Sequence, residues 1–260
     1  MIKENKDLFS LDGKVFGSRL IMGTSLFSNQ SILADSLEKS ETEIVTLSVR
    51  RVDLKSKTNI LETLKNKYRI LPNTAGCFSS KEAILTAELC RESLETNWIK
   101  LEIIADYQTL LPDSYELVST TDYLVKAGFK VFAYCSDDPI ICRKLEDLGC
   151  VAVMPMISPI GSGLGVRNEH NLEIIREFCK GTIIVDAGIG KPSDATKVME
   201  LGFDAVLLNS SVARSMNPIE MADAMKYAVI SGRKGFLSGM IEKNKYANLS
   251  TTMQNKISNF

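Results

Sequence analysis

The chain has 260 residues, 45% hydrophobic and 24% charged, and its 31 Lys and Arg nearly balance 32 Asp and Glu for a net charge of −1. This apolar fraction excludes a disordered chain, and the balanced charge argues against broad nucleic-acid binding through phosphate neutralisation. The single histidine, His170, excludes His-rich zinc sites and H-E-x-x-H chemistry. Any active site must move its protons on His170 or on non-histidine groups.

The length suits one (β/α)8 barrel, a fold of about 250 residues. None of the six cysteines forms a C-x-x-C pair, so each is expected to be a reduced, small apolar side chain. The opening MIKENKDLF has no apolar secretory core, and no apolar run approaches the ~20 residues of a membrane span. The expectation is a cytoplasmic protein, or a stromal one if the chain is organelle-encoded.

In chain order, eight short β-rich runs end in polar residues. Arg19 to Met22 ends at Gly23-Thr24, Glu43 to Val49 at Arg50-Arg51, and Arg69 to Pro72 at Asn73-Thr74. Trp98 to Ile104 ends at Ala105-Asp106, and Lys130 to Tyr134 at Ser136-Asp137-Asp138. Cys150 to Met154 ends at Pro155, Thr182 to Val185 at Asp186, and Asp204 to Leu208 at Asn209-Ser210-Ser211.

Helices with start and stop signals lie between them. Ser79-Ser80 opens KEAILTAELCRESL; Asp113 or Ser114 caps a helix running to Lys126 before Gly128. Pro139 after Asp138, Pro192 and Pro218 each suit a first helical turn, with stops expected at Gly149, Gly202 and Gly232. Alternating strand and helix units predict an α/β fold, a (β/α)8 TIM barrel of parallel strands. The alternative, an open doubly wound sheet, usually carries an early dinucleotide fingerprint, absent after the first run. One domain is expected over residues 1–260, with its core at about 10–240 and a polar tail at 242–260.

In such a barrel, chemistry sits at the C-terminal ends of the strands. Side chains alternate along Trp98-Ile99-Lys100-Leu101-Glu102-Ile103-Ile104. The apolar Ile99, Leu101 and Ile103 should face the helices, which turns Lys100 and Glu102 into the lumen. Two readings of that pair carry equal weight. It is either a structural ion pair, or a Schiff-base lysine with an adjacent acid/base. Val185-Asp186-Ala187-Gly188-Ile189-Gly190 joins a strand-end carboxylate to glycines before a helix. Such backbone lets N–H groups approach an anion, or simply permits a tight turn. Its pairing with Asn209-Ser210 after the next run favours phosphate, because the last two loops are this fold's usual phosphate site. Gly161, Gly163 and Gly165 point to a lid or a backbone anion cradle. Arg50-Arg51 suit a substrate or an internal carboxylate, and His170 an exposed or capping role.

The stretches NTAGC (73–77), TNWIKLEII (96–104), KVFAYCSDDP (130–139), VAVMP (151–155), PIGSGLGVRN (159–168), VDAGIGKPSDA (185–195), GFDAVLLN (202–209) and NPIEMADAMKYAV (217–229) together resemble the thiazole synthases of thiamine biosynthesis. The resemblance spans about residues 10–240 in the family's order. It implies joining of 1-deoxy-D-xylulose 5-phosphate, dehydroglycine and sulfur into a thiazole phosphate carboxylate. The sulfur comes from the thiocarboxylated C-terminus of a ubiquitin-like carrier protein. By motif, Lys100 matches the imine-forming lysine, and Glu102 and Asp186 the acid/base carboxylates. Gly161, Ala187-Gly188 and Asn209-Ser210 match the phosphate-binding positions. A homo-oligomer is implied, and no metal or organic cofactor. The alternatives are another Schiff-base phosphosugar barrel, of class I aldolase or pyridoxal phosphate synthase type, or a non-catalytic scaffold for the carrier.

Overall fold

The computed structural model describes residues 7–48 and 60–248. A hairpin comes first, β1 (Phe9–Leu11) and β2 (Lys14–Phe16). Eight strands follow: β3 (Leu20–Gly23), β4 (Ile44–Ser48), β5 (Arg69–Asn73), β6 (Trp98–Leu101), β7 (Lys130–Cys135), β8 (Ala152–Pro155), β9 (Ile184–Asp186) and β10 (Ala205–Leu208). Their parallel pairing runs in chain order from β3 to β8; β9 pairs β10, and β10 returns to β3. A bridge between Val153 and Ile183 joins β8 to β9 and closes the ring. The expected (β/α)8 barrel is therefore observed. Arg50 and Arg51, expected at the end of β4, lie outside the described residues.

The helices are α1 (Gln30–Ser40), α2 (Ile60–Lys67), α3 (Ser80–Leu94), α4 (Ser114–Lys126), α5 (Pro139–Asp147), α6 (Glu169–Phe178), α7 (Pro192–Glu200), the single turn α8 (Ser210–Ala213) and α9 (Pro218–Ser238). The expected caps operate. Ser79 accepts from Glu82 N, Asp138 from Ile140 N and Asn217 from Glu220 N. Each satisfies an N–H that has no partner inside the helix. No helix among the described residues is long and apolar enough to cross a membrane.

Period-two alternation builds two cores. Outward residues such as Leu20, Met22, Val45, Ile99, Leu101, Val131, Val185 and Val206 pack under the helices. Inward residues Ile21, Ile44, Leu71, Trp98, Phe132, Met154, Ile184 and Leu207 form an apolar layer inside the barrel. The hairpin closes this layer from below with Phe9, Leu11 and Phe16. Trp98 anchors it, with its Nε1 donating to Asp12 Oδ2 at 2.9 Å, Phe132 at 4.9 Å and the Arg69 guanidinium 4.7 Å from its ring. The hairpin was not expected from the sequence, although its signal is present. Asp12 and Gly13 lie at φ 49° and 74°, the two-residue turn that Asp-Gly favours between strands.

Two residues further up each strand, the inward positions are Gly23, Thr46, Asn73, Lys100, Tyr134, Met156, Asp186 and Asn209. The lumen thus changes from apolar to polar in one layer.

One expectation fails. Gly232 does not end the last helix; α9 continues to Ser238. A Cβ at Gly232 would fall 2.7 Å from Met199 Cβ and closer still to the Thr196 carbonyl oxygen. The glycine is where α9 packs closely on α7, and that packing outweighs its weak helix propensity. The next glycine, Gly235, has nothing nearer than 3.7 Å to an added Cβ. Gly232→Ala should therefore destabilise the chain by a net of about 1–2 kcal/mol, overpacking outweighing the propensity gain. Gly235→Ala should stabilise it by about 0.5–1 kcal/mol. Urea unfolding of both variants checks the pair, and equal effects would show that the α7–α9 contact is not tight.

Candidate active site

Lys100 is the centre of the upper layer. β6 places it two residues above the Trp98 plug, facing inward as alternation requires. Its Nζ lies 2.8 Å from Glu102 Oε1 and 2.5 Å from Asp186 Oδ2. All three residues are buried. Asp186 comes from the end of β9, two residues above inward-facing Ile184. Backbone contacts hold Glu102: the Thr74 hydroxyl donates to Glu102 O at 2.7 Å and accepts from Glu102 N at 2.8 Å. The Tyr134 ring walls the other side, 5.4 Å from Lys100 Nζ, and its hydroxyl donates to Met156 Sδ at 3.6 Å. Burial pushes the Tyr134 phenol far above its ordinary pKa, and nearby Asp186 and Glu102 push it further, so it stays neutral.

The electrostatics follow from one cation between two carboxylates. Burial alone would discharge Lys100, but Asp186 and Glu102 outweigh it and hold the ammonium above its usual pKa. Burial also raises the Asp186 carboxyl, Lys100 opposes that, and Glu102 adds to it, leaving the pKa above normal. These directions agree: one proton added to the triad, on Asp186, makes it neutral. The cluster can keep a lysine charged at rest and take up its proton when the amine must react.

The triad is open to a cavity of about 1260 Å³ at the C-terminal ends of the strands. The structure brings every nominated residue to this cavity: Lys100, Glu102, Asp186, Gly161, Ala187, Gly188, Asn209 and Ser210 all line it. His170 does not; it is exposed near the start of α6, as expected.

Two glycine-bearing loops form one wall. Ala187 and Gly188 follow Asp186 at φ 71° and 88°. For alanine this conformation costs about 1 kcal/mol or more. The Ala187 carbonyl accepts from Ile157 N at 3.3 Å. At Gly188 a Cβ would fall 2.6 Å from the backbone N of Ser158, so no side chain fits. Gly165 N donates to Gly188 O at 2.9 Å, and Ser158 Oγ donates to the same carbonyl at 3.3 Å. The loop that carries Gly161–Gly165 is therefore tied to the Asp186 loop at both its ends, through Ile157 and Ser158 before the segment and Gly165 at its close, which favours a fixed cradle over a free lid.

Opposite β6 in the ring, Asn209 donates through Nδ2 to Ser25 Oγ at 2.9 Å, and its Oδ1 is buried without a hydrogen-bond partner. Gly23 makes room for it: a Cβ there would meet Asn209 Cβ at 2.5 Å. Sequence reasoning missed Thr74 as the clamp on Glu102, Tyr134 as the wall, and Arg214 on the cavity rim. The signal for the first two was available, since both occupy strand-end or inward positions. Arg214 could have been found from its place four residues after Ser210, one helical turn away.

Since Asp186 binds its proton more tightly than in the unfolded chain, stability should fall as pH rises from the ordinary carboxylate value, about 3.9, through the raised native one. Asp186→Asn removes this dependence. The stability of the wild type relative to that variant should decline from about pH 4 toward neutrality. Urea melts across that range check it; a difference that is flat or rises with pH contradicts the charge assignment.

Comparison with known proteins gives the family. A family model described as thiazole biosynthesis protein ThiG matches residues 10–252. The thiazole synthase of Geobacter sulfurreducens is 46% identical over 254 residues, covering 96% of this chain and 98% of that protein. The thiazole synthase of Aquifex aeolicus is 48% identical over 244 residues, covering 93% and 91%. Among solved structures, the BexX/CysO complex of Amycolatopsis orientalis superposes with a TM-score of 0.83 at 24% identity, over 92% of this chain and 98% of that one, a likeness of fold. With the family model spanning residues 10–252 and relatives 46% and 48% identical over more than nine-tenths of both chains, the chain belongs to the family of the thiazole synthases, enzymes of thiamine biosynthesis.

Proposed function

We propose that this enzyme forms the thiazole phosphate carboxylate from 1-deoxy-D-xylulose 5-phosphate, dehydroglycine and carrier-borne sulfur, through an imine on Lys100. The observation that supports this most is the pairing of buried Lys100 with two carboxylates, Glu102 and Asp186, at the floor of an open cavity. A purely structural ion pair would not need a second carboxylate from another strand, nor access to substrate.

Lys100 passes its proton to Asp186, the carboxylate whose proton affinity burial and Glu102 raise, and the net charge of the cluster is unchanged by the transfer. The free amine then adds to the sugar ketone, and loss of water gives the protonated imine. The imine makes the adjacent C–H acidic. Glu102 or Asp186 removes that proton and returns it along the chain, which moves the carbonyl by one carbon. The new ketone is open to the sulfur of the thiocarboxylate. The sulfur adds to it. The carrier's acyl group shifts from sulfur to the alkoxide oxygen and leaves with that oxygen as the carrier's carboxylate, and the sulfur stays on the carbon chain. Addition to dehydroglycine, ring closure and release of the Lys100 amine follow. Gly161, Ala187, Gly188, Asn209 and Ser210 hold the phosphate throughout, so that each reacting atom stays in place.

The sulfur donor in this reading is a ubiquitin-like carrier protein whose C-terminal tail reaches the cavity. The neighbour from Amycolatopsis orientalis, solved as a complex with CysO, supports a protein partner at this type of barrel.

Borohydride reduction of the protein with 1-deoxy-D-xylulose 5-phosphate should give a mass adduct on Lys100, and Lys100→Ala should give none. An adduct elsewhere, or none in the wild type, would remove Lys100 as the nucleophile. A small protein ending in Gly-Gly should co-purify with the chain and, once thiocarboxylated, support turnover. Imine formation without any need for such a protein would favour the aldolase-type alternative.

A further inference from the structure

We infer that Arg214 is the charged clamp for the substrate phosphate and sets the preference of this enzyme for a phosphorylated sugar. The inference rests on the phosphosugar reading above and adds a residue to it.

Three observations carry it. First, the single turn α8 brings Arg214 back over Ser210, with Arg214 N donating to Ser210 O at 3.0 Å. Residues four apart lie on one face of a turn. Second, their side chains converge on the glycine loop from β8. A Cβ built on Gly161 would sit 3.5 Å from Arg214 Nη1 and 3.6 Å from Ser210 Oγ. A guanidinium, a hydroxyl and exposed loop backbone thus meet at one point of the cavity wall. Third, nothing else claims these donors: among the described residues, neither the Arg214 guanidinium nor the Ser210 hydroxyl has an ion pair or hydrogen bond.

Charge makes the case specific. Among the described residues, the charged ones lining the cavity are Lys100 and Arg214 against Glu102, Asp186 and Glu220. Lys100 is already engaged by two carboxylates. Without Arg214 the described lining would repel a phosphate monoester, which carries about −1.5 to −2 charges at neutral pH. Arginine offers the planar, two-pronged donor set that matches phosphate oxygens. Position fits as well. Arg214 follows β10, and Lys100 is on β6, four strands away around a ring of eight. The phosphate would be held across the barrel from the amine, with the carbon chain extended between them. Room beside Gly161 matters too, since a side chain there would occupy the space between Arg214 and Ser210.

Saturation of the borohydride-trapped adduct tests this, using the full chain with 1-deoxy-D-xylulose 5-phosphate and with unphosphorylated 1-deoxy-D-xylulose. Arg214→Gln should raise the half-saturating concentration of the phosphorylated sugar about tenfold or more. The final extent of trapping, and the response to the unphosphorylated sugar, should not change. Arg214→Lys should recover part of the loss. Unchanged half-saturation, an equal loss with both sugars, or an effect confined to the KM for the carrier protein would overturn the assignment. Titration calorimetry with inorganic phosphate needs no imine and separates this inference from the reading it rests on. Phosphate binding that is lost in Arg214→Gln supports the clamp even if the wild type traps no adduct. Equal binding by both overturns it.

Discussion

A lysine ammonium held between two carboxylates inside a barrel is the interaction on which the upper half of this molecule depends. Such a group is costly to bury unless its charge is matched, and removing one partner leaves an unpaired buried charge. Lys100 is matched twice over, at 2.8 Å and 2.5 Å. Two carboxylates against one ammonium leave the cluster with an excess negative charge. With one carboxylate the lysine would form a neutral, inert pair. With two, the site holds the ammonium and keeps a second carboxylate that can accept a proton.

The rest of the barrel makes that arrangement tolerable. Below it, the layer of inward apolar side chains, sealed by the β1–β2 hairpin, keeps water from entering underneath. Beside it, Tyr134 provides an aromatic wall that remains neutral. Above it, two loops are stitched together through Ile157, Ser158, Gly165 and Gly188, so the cavity wall is set before substrate arrives. Backbone strain at Ala187 is concentrated directly after Asp186. Strain of this kind persists where surrounding contacts over-determine the chain, and it clusters at functional sites. The near-zero net charge leaves no basic surface to gather anions. Any anion recognition in the cavity must then be local, with backbone and hydroxyl donors and the rim guanidinium as the groups available.

Much of this arrangement is legible in the sequence. Alternation along Trp98–Ile104 turned Lys100 and Glu102 inward and Ile99, Leu101 and Ile103 outward, because a strand has only two faces and the apolar residues must go where helices cover them. Strand-end polar residues marked the functional rim because parallel barrels put loops there. The β1–β2 hairpin went unnoticed although Asp12-Gly13 advertises it, since three-residue strands give too short a pattern to stand out from an irregular terminus. Gly232 has the sequence signature of a helix stop, yet the helix runs through it. Glycine in a helix has two uses, termination and close approach, and only the neighbour decides between them.

By itself, then, the sequence determined the barrel, the inward lysine with its glutamate, the glycine loops and the family, because each is written in local periodicity or in contiguous motifs. Tertiary structure alone decided that Asp186 reaches Lys100, that Arg214 overlies Gly161 beside Ser210, and that α9 runs through Gly232 against α7. These contacts join segments far apart in the chain. Their distances are set by strand order, barrel closure and packing, which local pattern does not encode.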